Sequence, residues 1–338
     1  MIPNTRLDIH FLNVDHGDCT IIRHPGDQHR SKGRISFVDI NDWKDKKEKD
    51  VAGLSALLTN AFGSLTKSPI SEEEYAQEYL NDPIEYFQNE VDERDQDVWR
   101  FISTHPDMDH LSGFERLCDE VGISGIWDTK HDKSLDLDGY WPPQYDSSDW
   151  AKYQEICSGD TDHFHMQPTR GDKRQYWEDD NIDILHPTPE FVEQVNQENE
   201  GQEQNEFNNI SLVLKINTRA GGILLPGDAE EEAWEEILKY HNEDVLEDVA
   251  VLKASHHGRK DGFHAPAVEA MDPEYVILSV GNKPSTDAHQ DYRRVCSDDC
   301  DVISTRQYGR IRVTCGERGS LNVFKEYPDG IFDLPGDA

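Results

Sequence analysis

The stretch Ser103–Gly113, STHPDMDHLSG, places His105, Asp107, Asp109 and His110 within six positions, just after the apolar run VWRFI. Imidazole nitrogen and carboxylate oxygen are what borderline and hard divalent ions take, at about 2.0–2.2 Å. Four such groups packed this densely repel one another or stand idle unless a cation holds them. Two further segments share the design. ILLPGDAEEEAW sets Asp228 directly after an apolar run and Gly227, and VAVLKASHHGRKDGFH sets His256 and His257 after another, with Gly258 permitting a tight bend. Taken alone, Asp228 reads as a helix N-cap and the histidine pair as a surface pair. Three apolar runs, each finished with His or Asp, point instead to one shared metal site.

The elements that must position these groups follow from pattern. Pro106 biases His105 towards extended backbone, so the strand VWRFIST runs out at the histidine and a helix opens near Asp109 and His110. LDIHFLNV, CTIIRH and RISFVDI read as strands separated by Gly-Asp and Pro-Gly turns. Residues 42–95 change character: VAGLSALLTNAFGSL has helical apolar spacing and SEEEYAQEYLNDPIEYFQNEV opens with a Ser/Glu capping pattern, so this reads as a helical insertion. LSGFERLCDEVG predicts a helix ending near Gly122. Residues 128–180 are polar and aromatic-rich without clear period, and TPEFVEQVNQENEGQEQNE reads as a polar stretch ending in a loop. IDILHP, ISLVLKI and GGILLPG return to strands, followed by a helix at AEEEAWEEILKYH. The last third alternates strands (VAVLKAS, YVILSV, DVISTR, RIRVTC, SLNVFKE) with helices near 265–271 and 288–296. Interleaving in both halves predicts an α/β fold.

Bulk properties set the bounds. The chain has 338 residues and 35% apolar content, with mean hydropathy −0.80, so much of it must be surface, loop or insertion. No run approaches the roughly 18–20 apolar residues of a membrane span, and MIPNTRLDIHF has no secretory apolar core; a soluble, cytoplasmic protein is expected. The six scattered cysteines read as reduced thiols, and Cys296/Cys300 lacks a second pair at ligand spacing. A net charge of −36 opposes generic affinity for nucleic acid. Residues 253–325, however, carry eleven Lys/Arg against ten Asp/Glu, a net +1. With screening over about 8–10 Å, that floor can still accept an anion.

Together these motifs resemble the metallo-β-lactamase fold superfamily, whose signature is a His-x-His-x-Asp-His loop followed by later single Asp and His ligands. The fit is closest to the branch formed by the soluble domain of ComEC-type DNA-uptake proteins. HFLNVDHGDCTII resembles that branch's opening strand and turn, FVDI (Asp39) its first acidic motif, and THPDMDHLSG its His-x-Asp-x-Asp-His loop. NNISLVL, LLPGDA, LKASHHG, ILSVGNKPSTDAH and STRQYGRIRV follow in order. The resemblance covers roughly 6–41, 96–127 and 181–325. It implies one domain over 1–338, a four-layer αββα sandwich, with 42–95 and 128–180 as additions.

The resemblance also implies roles. Asp228 is the bridging carboxylate, His105 and Asp107 lie towards one ion, and Asp109 and His110 towards another. One of His256 and His257 completes the second position. Asp18, Asp39 and Asn209 stand behind the ligands, the carboxylates accepting ring protons from the loop histidines. The place that usually supplies a further ligand reads Asn208-Asn209, so one or two divalent ions are expected, zinc or manganese, with the carboxylate and amide oxygens favouring manganese or magnesium at the depleted position. The implied activity is metal-dependent hydrolysis, in which water on the ion is made acidic enough to attack. Asp109 positions and deprotonates that water. His289, in STDAHQDY, meets the leaving group or serves a structural hydrogen bond; Asn282, Arg259 and Lys260 bind substrate. The expected substrate is nucleic acid or a nucleotide phosphodiester, with the aromatics of 128–180 either stacking bases or packing their own core. The overall acidity favours the alternative of a compact ester, thioester or lactam. A low-turnover, metal-stabilised interaction module with a protein partner at the 42–95 insertion is the third reading.

Overall fold

Residues 5–26, 32–43, 72–92, 96–135, 141–142, 144–201, 206–241, 245–281 and 286–331 are described by a computed structural model. Its strands fall into two large sheets and one short ladder. The first sheet runs β16 (Leu321–Lys325), β15 (Ile311–Cys315), β1 (Leu7–Phe11), β2 (Thr20–Arg23), β3 (Ile35–Val38), β5 (Arg100–Ile102), β7 (Gly125–Trp127) and β8 (Phe164–Met166). The second runs β14 (Asp301–Ser304), β13 (Tyr275–Leu278), β12 (Val249–Lys253), β11 (Gly221–Leu225), β10 (Val213–Thr218) and β9 (Ile182–His186). The ladder joins β4 (Ile40–Asn41) to β6 (Leu111–Ser112). Each large sheet is antiparallel on one side and parallel on the other. Pairing is parallel from β3 through β5 and β7 to β8, and from β11 through β12 and β13 to β14.

Period-two alternation sorts the apolar side chains into layers. Ile22, Val38 and Ile102 meet Ile223, Leu225 and Val251 between the sheets. Their chain neighbours Ile21, Phe37 and Phe101 point outwards, against Phe114 and Leu117 of helix Phe114–Glu120 and Trp150 of helix Ser147–Cys157. Across the molecule, Leu224 and Leu252 pack under Ala233, Trp234 and Ile237 of helix Glu231–His241 and under Val268 and Tyr292 of the two helices that follow. The expected αββα order is therefore present. Each fully buried Ile, Leu or Phe favours it by about 1.5–3 kcal/mol over exposure.

Several elements differ from the sequence expectation. TPEFVEQVNQEN is a helix, Pro189–Asn199, capped by Thr188, with Phe191, Val192 and Val195 buried; three apolar residues sufficed for a stripe that the surrounding Glu and Gln masked. No long helix opens at Asp109. Met108–His110 is one tight turn, β6 follows, and the helix begins at Phe114 after Gly113 in a left-handed conformation. Residues 128–180 extend the first sheet through β8 and bury Trp150, Tyr153 and Trp177, with Trp177 packed on Trp127 at 4.6 Å. Those three rings are structural and unavailable to stack bases. Within 42–95, helices cover Glu72–Tyr79 and Pro83–Tyr86, the latter running into a wider turn at Phe87–Val91, while residues 44–71 lie outside the described set. Among the described residues no helix is long and apolar enough to cross a membrane.

Candidate metal centre

The acid and imidazole groups sit at the carboxyl ends of parallel strands from both sheets. Asp39 follows β3, His105 to His110 follow β5, Asp228 follows β11, and His256 and His257 follow β12. Backbone bonds stitch these loops together. Leu212 N–H donates to the Thr104 carbonyl at 2.9 Å, His256 N–H to Gly227 at 3.1 Å, and Asp18 N–H to Asp109 at 3.3 Å. Gly227 has φ +56°, and a Cβ there would lie 2.7 Å from the Thr104 side chain, so glycine is what lets the Asp228 turn close on the other sheet. Asp39, His256 and His257 also have positive φ, at 59°, 48° and 56°, a conformation costly for non-glycine residues that persists where surroundings over-determine it.

One ligand-type atom from each of Asp18, His110, Asp228 and His257 lies within 4.8 Å of the others, and all four residues are buried. His110 Nε2 is 3.2 Å from Asp228 Oδ2, and its Nδ1 is 2.9 Å from Asp39 Oδ2. His257 Nε2 is 3.2 Å from the same Asp228 oxygen and 3.4 Å from Asp109 Oδ2, while its Nδ1 is 3.3 Å from Asp18 Oδ1. Each ring thus turns one nitrogen to a supporting carboxylate and the other towards Asp228. His256 sits differently. Its Nδ1 is 3.0 Å from both Glu230 and Asp261, and its Nε2 is 3.6 Å from Asp228. Of the twin histidines, His257 is the one embedded in the cluster. His105 is buried with its ring 4.2 Å from that of His110, its Nε2 3.8 Å from Asp107 Oδ2. The Asp107 carboxylate turns instead to Lys133, with Nζ to Oδ1 2.5 Å.

The donor set fits a divalent cation. His105 Nε2, His110 Nε2, His257 Nε2 and Asp228 Oδ1 are buried, and none meets hydrogen-bond geometry among the described residues. Buried polar atoms are ordinarily satisfied, and three of these orphans, on His110, His257 and Asp228, belong to one group of ligand atoms within 4.8 Å, which marks a place for a ligand. The electrostatics agree. Burial disfavours the charged His110 ring, yet Asp228 and Asp39 outweigh it and raise its pKa well above the usual range. For His257, burial is likewise overcome by Asp228 and Asp18. Burial pulls Asp228 upwards, but those two rings hold it far below the ordinary carboxylate value. Around Asp228 carboxylates are in excess, and protons on the two rings balance its charge.

The remaining expected residues are placed as follows. Asp39 accepts from the Thr104 backbone N–H and hydroxyl, each at 2.8 Å, besides His110. Asp18 pairs with buried Lys253. Asn209 Oδ1 accepts from Glu230 and Ala233 N–H, at 3.1 and 3.3 Å, capping the helix that follows Asp228. Arg259 Nη1 lies 3.3 Å from His256 Nε2, and Lys260 is exposed. His289 is buried at a helix start, its N–H on Asp287 at 2.7 Å. Its turn is tied to the twin-histidine loop through Ala288 N–H to the Gly258 carbonyl at 2.9 Å. Asn282 lies outside the described residues. Lys133 and Lys253 were missed by sequence reasoning. A lysine closing the apolar run VAVLK was a usable signal, since buried Lys needs a carboxylate; Lys133, in a featureless polar segment, gave none.

No protein-family model matches the chain. The chain is similar to ComE operon protein 3 of Bacillus subtilis, 30% identical over 123 residues, which is 36% of this chain and 16% of that protein. The match therefore spans a minor part of the relative's length. This relative agrees with the resemblance drawn from the motifs. Among solved structures, the chain is similar to Igni18, a metallo hydrolase of Ignicoccus hospitalis, at 11% identity and TM-score 0.42, covering 94% of this chain and 99% of that one. It is also similar to a mutant of the CmlA beta-hydroxylase, at 10% identity and TM-score 0.44, covering 94% and 54%.

Proposed function

We propose that the chain is a metal-dependent hydrolase acting on phosphodiesters, nucleic acid or nucleotide. The observation that carries this reading is the convergence of His110, His257 and Asp228 with their unsatisfied ligand atoms facing one point. When bound, a divalent ion supplies an acidified water and neutralises charge on an oxygen under attack. His110, His257, Asp228 and Asp109 would hold it. Asp39 fixes the His110 ring by accepting from Nδ1 at 2.9 Å, and Asp18 faces His257 Nδ1 at 3.3 Å, so that each Nε2 is turned inward. Asp109, against His257 and only partly buried, orients the attacking water and accepts its proton. His289, whose turn is tied to Gly258 by a backbone bond, is the candidate to meet the leaving group. The near-neutral 253–325 segment, with Arg259 and Lys260, accepts the anionic substrate.

The test is turnover of single-stranded DNA, duplex DNA and bis-p-nitrophenyl phosphate by metal-reconstituted protein at low and moderate salt, with Asp109→Ala and Asp228→Ala as controls. Cleavage of either substrate class, lost in both variants, supports the proposal. Hydrolysis of the small diester alone narrows it to compact substrates, which the charge of −36 favours. Silence on both with full metal content overturns it and leaves a metal-stabilised interaction module.

A further inference from the structure

We propose that Lys133 stands in for a second cation, so that the centre takes one divalent ion per chain. The inference rests on the metal-centre reading above and deepens it. Three observations converge. First, the tightly grouped ligand atoms belong to Asp18, His110, Asp228 and His257, and His105 and Asp107 stand outside that group. Second, the residues at the place of a further ligand are engaged elsewhere. Asn209 Oδ1 caps a helix, and Asn208 Nδ2 donates to Glu230 at 2.9 Å. Third, the Asp107 carboxylate carries an ammonium at 2.5 Å, on a lysine whose side chain is 11% exposed and whose Nζ lies 5.7 Å from the centre of the Phe207 ring. A stem packed in this way is pre-positioned and does not resemble a loose surface pair.

A catalytic ion needs about three protein ligands. With Lys133 on Asp107, only His105 and the shared Asp228 remain on that side of the centre. Removing the ammonium releases Asp107 Oδ1, and Oδ2 already lies 3.8 Å from His105 Nε2, a separation suited to two ligands of one ion. An anionic substrate therefore meets one ion on the Asp109 side and a chain-borne ammonium on the Asp107 side. Unlike an ion, that ammonium cannot be lost to chelators.

The test is metal stoichiometry, independent of turnover: elemental analysis after equilibrium dialysis of the full chain against excess manganese or zinc. Wild-type protein is expected to hold one equivalent. Lys133→Met, which keeps the stem and removes the charge, is expected to hold two, and Lys133→Met with Asp107→Asn to return to one. Lys133→Gln repeats the measurement if the Met variant melts below wild type. Two equivalents in wild type, or one in both single variants, overturn the proposal. No bound metal in wild type instead overturns the metal-centre reading itself, a result distinct from either.

Discussion

Replacing Asp39 with Asn tests whether the carboxylate sets the state of His110, and its outcome follows from donors and acceptors alone. Asp39 Oδ1 takes the Thr104 backbone N–H at 2.8 Å, and Oδ2 takes the Thr104 hydroxyl at 2.8 Å and His110 Nδ1 at 2.9 Å. A backbone N–H can only donate, so in the Asn variant the amide oxygen must stay on Thr104 and the NH2 must face His110. Nδ1 then becomes the acceptor and the ring proton moves to Nε2, the atom 3.2 Å from Asp228. That proton blocks the lone pair a metal needs. Residue 39 has φ +59°, which Asn tolerates, so the backbone is not the reason for any loss.

Changes of this kind behind a ligand cost about 10- to 100-fold in metal affinity, or about 1.4–2.7 kcal/mol. The assay is competition against a chromophoric chelator, with urea unfolding in parallel. Asp39→Asn is expected to weaken metal binding by that factor while retaining the fold. Asp39→Ala, which strands the Thr104 N–H and the His110 ring and puts Ala in a left-handed conformation, is expected to lose about 3–5 kcal/mol of stability as well. Wild-type metal affinity in a well-folded Asp39→Asn protein would refute the reasoning, because the forced amide orientation admits no other consequence for His110.

Three further outcomes follow from the structure. Gly227→Ala places a Cβ 2.7 Å from Thr104 at φ +56°, and is expected to cost about 2–4 kcal/mol in urea unfolding together with metal affinity, since Asp228 is the next residue. Asp180→Asn removes the charge shared by two buried guanidiniums, Arg100 and Arg34, the latter at 3.0 Å. It is expected to lower stability by about 3–5 kcal/mol while metal stoichiometry, read by elemental analysis, stays unchanged. The hydrogen bond to Asp128 at 2.7 Å, opposed by burial, raises the His165 pKa, so the stability it contributes is full below its unfolded value near 6.5 and is lost as pH rises through the folded value. The gap in urea midpoint between wild type and His165→Gln is expected to shrink from pH 5.5 to 8.5; a constant gap excludes the linkage.

The site was legible where chemistry and local geometry coincide in sequence. His105 and Asp228 each follow an apolar run, with Asp109 and His110 in the loop just beyond, and a strand end is where a side chain leaves the sheet for a cleft. The αββα layering was legible for the same reason, because Ile21/Ile22 and Phe37/Val38 face different cores in turn. What stayed hidden depends on distance. His256 and His257 are equivalent in sequence, and only the contacts of Asp18 and Asp109 with His257 separate them. The twin left-handed φ values that aim both rings leave no compositional mark, since Gly258 alone signals the bend. Lys133 reaches Asp107 from 26 residues away through a segment with no period. Helix Pro189–Asn199 was masked by its polar residues, and β8 by its brevity, because three residues with half-buried side chains carry too little alternation to read.

The arrangement explains how a chain this acidic gathers still more carboxylates at one edge. In both sheets the site-facing loops follow the parallel strands, which run side by side and end together, so successive turns open on the same rim. The two rims are then joined by a backbone bond from Leu212 to Thr104, which fixes the gap without using any side chain that chemistry needs. Within that gap three of the acids are given partners of the chain's own making: Lys253 for Asp18, Lys133 for the half-buried Asp107, Thr104 and His110 for Asp39. Asp228 differs, for its neighbours are histidine rings that can also be neutral ligands. The charge left over is therefore concentrated on Asp228 and Asp109 by the way the others are spent. On the proposed reading, the position left for a cation lies between His110 and His257, where the neighbours of Asp228 are histidine rings.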